Sequence, residues 1–146
     1  MSDTTFVYDK AKYHFETIEH LGLPEEHCYN HTTFFMSWLV RKRLMSDWFE
    51  QECQPEVARY RAGTMSINQL YEHWDCCLVS DMLSDEGNSF AEHYFEFEKG
   101  GYLADYSEHL QRDLPSEFHV SYTPENEVIA HGFISDRYSA WKRPQS

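Results

Sequence analysis

Long apolar runs are missing from this chain: no stretch approaches the roughly 20 residues that a membrane-spanning helix needs. The beginning, MSDTTFVYDKAK, also lacks the charged-then-apolar plan of a signal peptide. Cysteine is limited to Cys28, Cys53, Cys76 and Cys77, with no CxxC among them, so these are expected to be reduced, packed thiols in a cytoplasmic protein. Basic residues are few, 12 against 25 acidic ones, for a net charge of −13. That balance argues against direct binding of nucleic-acid phosphates or of an anionic membrane, and suits a basic partner.

What the chain does have is aromatic mass. Phe, Trp and Tyr make up 16% of its 146 residues, far more than a disordered acidic chain would carry, so a folded single domain with a real hydrophobic core is expected over residues 1–146. Residues 1–8 read as an extended or flexible lead-in and 144–146 as a frayed tail. The stretch PEEHCYNHTTFFMSWLVRKR, residues 24–43, predicts the long central helix. Pro24 suits a first helical turn, Glu25 and Glu26 suit its positive pole, and Arg41, Lys42 and Arg43 its negative one. Cys28, His31, Thr32, Phe35, Trp38 and Leu39 fall on one stripe, which Phe34, Met36 and Val40 widen.

Shorter helices are expected on either side. Asp9 is placed to cap DKAKYHFETIEHL, which Gly22 ends; Ser46 is placed to cap DWFEQECQ, whose Trp48, Phe49 and Cys53 form the apolar set; and Gly63 closes PEVARYRAG. Ser66 and Gln69 form a capping-box signature ahead of INQLYEHWD. CCLVSDML could be helix or buried strand. A helix starting at Ser84 or Asp85 runs towards Gly100, and YLADYSEHL forms another. FHVSY, within residues 118–122, alternates and is the expected extended segment. Thr123 and Pro124 then open a final helix reaching about Arg143. The fold class is therefore an all-α single-domain bundle around a central buried helix, with one short extended piece.

The segments YDKAKYHFE, GLPEEHCYNHTTFFMSWLV, LSDEGNSFAEHYFEFEKGGYLADY and FISDRYSAWKR together resemble a family of small acidic bacterial proteins without an assigned activity. Its members are suspected of being immunity proteins encoded beside toxins. The resemblance spans residues 8–143 and departs from the family pattern at Tyr13, where Trp is usual. It implies a cognate toxin as partner and brings no catalytic residues.

Two constellations could carry function. Residues 62–98 contain no Lys or Arg, while Glu72, Asp75, Asp81, Asp85, Glu86, Glu92, Glu96 and Glu98 all fall inside. Glu92 and Glu96, four apart on one expected helix, would repel each other, a cost that a basic partner relieves. Asp81, Asp85, Glu86, Glu92 and Glu96, with Phe95 as an exposed aromatic anchor, are thus the expected partner-binding residues, a basic nuclease being one fitting toxin. A solvated acidic surface is the alternative. The second constellation is His27 and His31, i and i+4 on the central helix, with His14, His20 and Glu26 nearby. It would suit a metal-dependent enzyme or regulator, although a hydrogen-bonded core histidine is the commoner outcome. No cofactor is expected on the binding-protein reading, and pairing with a second copy is a further option for the aromatic surface.

Overall fold

All but the last of the twelve residues of the helix Asn30–Arg41 are buried, and the rest of the chain is wrapped around them. The structure, a computed structural model, describes residues 5–97 and 100–143. The order is β1 (Val7–Lys10), a 3-10 turn (Ala11–His14), α1 (Phe15–Leu21), a 3-10 turn (Glu25–Cys28) and α2 (Asn30–Arg41). Next come α3 (Asp47–Glu52), α4 (Gln54–Ala62), α5 (Ile67–His73), β2 (Cys77–Val79), a 3-10 turn (Ser80–Met82) and α6 (Asp85–Tyr94). The chain closes with α7 (Tyr102–Tyr106), which runs on as a π-helical turn (Ser107–Gln111), a 3-10 turn (Glu117–His119) and α8 (Pro124–Lys142). This is a mostly helical single domain, as the periodicity predicts.

The central helix is shorter than its pattern. Tyr29, at φ −132° and ψ 2°, separates the turn Glu25–Cys28 from α2. Tertiary bonds hold that break: the Tyr29 hydroxyl donates to Glu72 at the end of α5, and His27 Nδ1 donates to the Phe118 carbonyl at 2.5 Å. At the other end Arg43 turns left-handed at φ 59°, so that the Leu44 N–H reaches the Leu39 carbonyl at 3.0 Å. Arg43 therefore closes α2 from outside it.

Polar side chains inside such a helix must be satisfied where they lie. Asn30 Nδ2 donates to the Val120 carbonyl at 3.2 Å, and Ser37 Oγ bonds both the Phe34 carbonyl at 2.8 Å and His131 Nε2 at 2.7 Å. Around the apolar positions the aromatics interlock. Phe35 stacks on Phe95 at 4.5 Å and lies within 6.5 Å of Trp38, Phe90, Tyr94 and Tyr102, while Phe34 stacks on Tyr122 at 4.2 Å. Helix α8 closes this cluster, burying Ala130, Phe133 and Ile134, with Ser135 Oγ accepting from Trp38 Nε1 at 2.9 Å.

The extended structure lies elsewhere than at residues 118–122, which form a 3-10 turn and irregular chain. Instead β1 pairs antiparallel with β2, matching Asp9 to Leu78 and Lys10 to Cys77, with an irregularity between Val7 and Asp9. That irregularity buries two successive residues, Tyr8 and Asp9, and so breaks the alternation by which a strand is usually recognised. Val7 and Tyr8, expected in a lead-in, belong to the strand; residues 1–4 and 144–146 lie outside the described residues. The open segment CCLVSDML supplies β2 and the turn after it.

Helix starts follow the sequence closely. Ser46, Ser84 and Thr123 each accept from an N–H three residues on, at 3.0 to 3.1 Å, and Ser66 with Gln69 makes the full capping box. Gly22 and Gly63 end α1 and α4 at φ 68° and 84°. One end differs: α6 stops at Tyr94, well short of Gly100.

Candidate functional site

Asp9 sits at the meeting point of three elements. Carried inward by β1, it is 1% exposed. Its Oδ1 is 2.8 Å from Nε2 of His14, at the end of the first 3-10 turn, and its Oδ2 is 3.0 Å from Nε2 of His31 on α2. Thr32, beside His31, donates to the same Oδ2 at 2.5 Å. Burial alone would raise this carboxyl, but the bonds from His14 and His31 outweigh it and hold the group far below the usual carboxylate range. The two imidazoles meet edge to face at 5.0 Å, and Phe118 and Phe97 pack against His31. Asp9 is thus a buried acceptor and not the helix cap that its position suggests.

The expected histidine pair is redrawn by this arrangement. His27 and His31 are not one turn apart on a helix, because the chain breaks at Tyr29, and His27 is engaged with the Phe118 carbonyl. His31 meets Asp9 and His14 instead. Two looser groups of similar chemistry occur among the described residues, Cys53 with Glu56 and His73, and Asp105 with Glu108 and His109. In the second, Arg137 holds Asp105 through two hydrogen bonds of 2.8 and 2.9 Å, and the Tyr94 hydroxyl adds a third at 2.6 Å. The four thiols are free, and burial raises all of them, Cys28 and Cys53 to about 11, which fits the expectation of packed, unreactive cysteines.

The acidic face is dispersed rather than continuous. Asp85 and Glu92 are exposed on α6. Asp81 is half-buried and accepts from Thr5 Oγ1 at 2.9 Å. Glu86 accepts from the Tyr138 hydroxyl and lies 3.3 Å from Lys142 Nζ, contacts that lower its pKa, so a basic residue from α8 already balances it. Glu96 lies beyond the end of α6 and is half-buried, so it does not form a helical i, i+4 pair with Glu92. Phe95 is wholly buried between Phe35 and Tyr102; it cannot serve as a surface anchor. The reason is the early stop of α6, after which the chain turns Phe95 into the core. Glu98 lies outside the described residues.

A different aromatic is exposed. Trp48 on α3 is 43% exposed and meets Trp74 edge to face at 5.3 Å, while Phe49 behind it is buried against the same Trp74 at 5.0 Å. The sequence places Trp48 in the buried set of α3, but the six-residue helix buries only Phe49. Exposed carboxylates adjoin the pair in sequence: Asp47 beside Trp48, Glu52 one helical turn further on, and Asp75 next to Trp74. Asp81 joins the same edge, since Ser46, the cap of α3, donates to its carbonyl at 2.8 Å. The signal was present in sequence as a Trp flanked by acids at i−1 and i+4.

Comparison with known proteins yields one match. The family model described as Domain of unknown function (DUF7832) covers residues 7–120, and the chain belongs to that family. The matched region takes in β1 through the last 3-10 turn and therefore all of Asp9, His14, His31, Trp48 and Trp74. No curated protein and no solved structure matches the chain.

Proposed function

We propose that this member of the family is a binding protein of the immunity type, which neutralises a cognate bacterial toxin by covering a basic surface on it. The observation that carries the reading is Trp48: a large aromatic left open at the surface, braced by Trp74, with Asp47, Glu52, Asp75 and Asp81 around it. Interfaces draw most of their affinity from such a desolvated aromatic centre, while charges at the rim set encounter rate and partner choice. A partner lined with Lys and Arg, as on a phosphate-binding nuclease, complements a chain of net charge −13. The site residues of this reading are Trp48, Asp47, Glu52, Asp75 and Asp81. Asp85 and Glu92 contribute long-range field.

The test is co-expression with the basic protein encoded beside the gene, followed by co-purification at moderate salt. Wild type is expected to retain the partner, and the double variant Trp48→Ala, Glu52→Lys to lose at least tenfold in affinity, about 1.4 kcal/mol or more. Because both positions are exposed, its thermal midpoint should move by no more than a few degrees. Unchanged affinity in the folded double variant would remove this surface from the proposal. Loss of binding in Glu92→Lys alone would return the interface to α6.

A further inference from the structure

We propose that Asp9, His14 and His31 form a binding site for a first-row divalent cation, with zinc as the leading candidate. The inference is independent of any toxin and concerns the opposite kind of ligand to a protein surface. Three elements distant in sequence, β1, the turn Ala11–His14 and α2, bring one carboxylate and two imidazoles together with their ligand atoms all within 4.8 Å of one another. Both histidines present the same nitrogen, Nε2, and each faces its own oxygen of Asp9. Zinc binds imidazole nitrogen and carboxylate oxygen at about 2.0 to 2.2 Å, so neighbouring ligands around one ion stand about 3 to 3.5 Å apart. The observed 3.0 Å is at the short end of that spacing and 2.8 Å just below it, so both rings move slightly outward when the ion enters.

Charge and tautomer give the second argument. Asp9 is almost wholly buried, and a hydrogen bond from a neutral imidazole satisfies an oxygen without cancelling its charge; a cation does both. His31 is 3% exposed, and its Nδ1 is buried with no polar partner among the described residues. The rings beside it are Phe118, at 5.5 Å and 87°, and Phe97, at 5.7 Å. That unpartnered nitrogen can carry the ring proton when Nε2 binds a cation, so His31 can change from hydrogen-bond donor to metal ligand without leaving its place.

The supporting groups fit a ligand role. Thr32 Oγ1, bonded to Asp9 Oδ2 at 2.5 Å, fixes the carboxylate as outer partners of metal ligands do. The side chain of His14 is 19% exposed, while those of Asp9 and His31 are nearly sealed, so the ion enters on the His14 side and keeps an open position there for water. Three protein ligands with one open position is the pattern of sites that activate a bound molecule rather than of closed structural sites.

Untagged protein stripped with a chelator and titrated with zinc chloride tests the proposal by calorimetry and by thermal unfolding. One zinc per chain and a raised thermal midpoint are expected for wild type. His14→Ala, the change at the most accessible ligand and the least disturbing to the fold, should weaken binding at least tenfold, as should Asp9→Asn. His73→Ala, which disrupts the group formed with Cys53 and Glu56, should leave it intact. No saturable binding by the folded wild type would overturn the assignment, and so would equal affinity in folded His14→Ala or loss of binding in folded His73→Ala.

Discussion

A single carboxylate shows how burial and partners compete. Asp105 on α7 is 5% exposed; desolvation would raise its pKa, but the hydrogen bonds from Arg137 and Tyr94 outweigh that effect and lower it. Its folded-state value lies below its unfolded one, so the stability it contributes is present in full above the ordinary carboxylate range near 4 and is lost as pH falls through the lowered value. Asp105→Asn should therefore cost about 1.5 to 3 kcal/mol at pH 7, the range for a hydrogen bond to a charged group, with exposure of Arg137 keeping it from the upper limit. Denaturant titrations at pH 7 and pH 3 check this, the gap between wild type and variant narrowing at the lower pH. The same logic explains why residue roles were only partly legible. Asp9 in sequence is an acid before a helical pattern and looks like a cap; its true role depends on His31, 22 positions away, which no local rule can see. His14 and His31 were visible as candidates, but their meeting on Asp9 was not.

Among the elements, those bounded by local chemistry were readable and those bounded by tertiary contacts were not. Caps at Ser46, Ser66, Ser84 and Thr123 use bonds within three residues; three are found where the sequence puts them, and Ser84 decides a start that the sequence left between Ser84 and Asp85. The break at Tyr29 and the early stop of α6 depend on partners in distant segments, so the helical pattern overran both. Trp48 was misplaced because α3 is too short for its period to decide which aromatic turns inward. Gly87 illustrates the contest between propensity and packing. Inside α6, replacement of glycine by alanine would ordinarily gain up to about 1 kcal/mol of helix propensity. Here a Cβ would stand 2.4 Å from the Leu44 carbonyl oxygen, where real contacts do not occur. Gly87→Ala is thus expected to destabilise, by about 1 to 3 kcal/mol as for other overpacked sites. Thermal unfolding of the variant reads the sign directly, and a raised midpoint would show that α6 and Leu44 can separate without cost.

For the whole molecule, net charge and the position of α8 have the widest effects. A protein carrying −13 should meet a basic partner faster at low ionic strength, and the screening length of about 8 Å at physiological salt limits that gain. Stopped-flow association at two salt concentrations is expected to show the on-rate falling several-fold with salt while the off-rate barely moves; an on-rate indifferent to salt would mean that the acidic surplus serves only to keep the protein apart from itself. The family match ends at residue 120, yet α8, beyond it, closes the core over Trp38 and Phe90 and supplies Arg137 to Asp105. The pairing of β1 with β2 acts on the order in which the molecule can be made. During synthesis Val7 of β1 is made before its partner Val79, which follows 72 residues later. Until then Asp9 has no strand to hold it under α2, and the earlier strand is the one that must wait. Completion of this protein is a clasp fastened backwards, so slowing translation before Val79 prolongs the interval in which the residues of β1 are open to proteases.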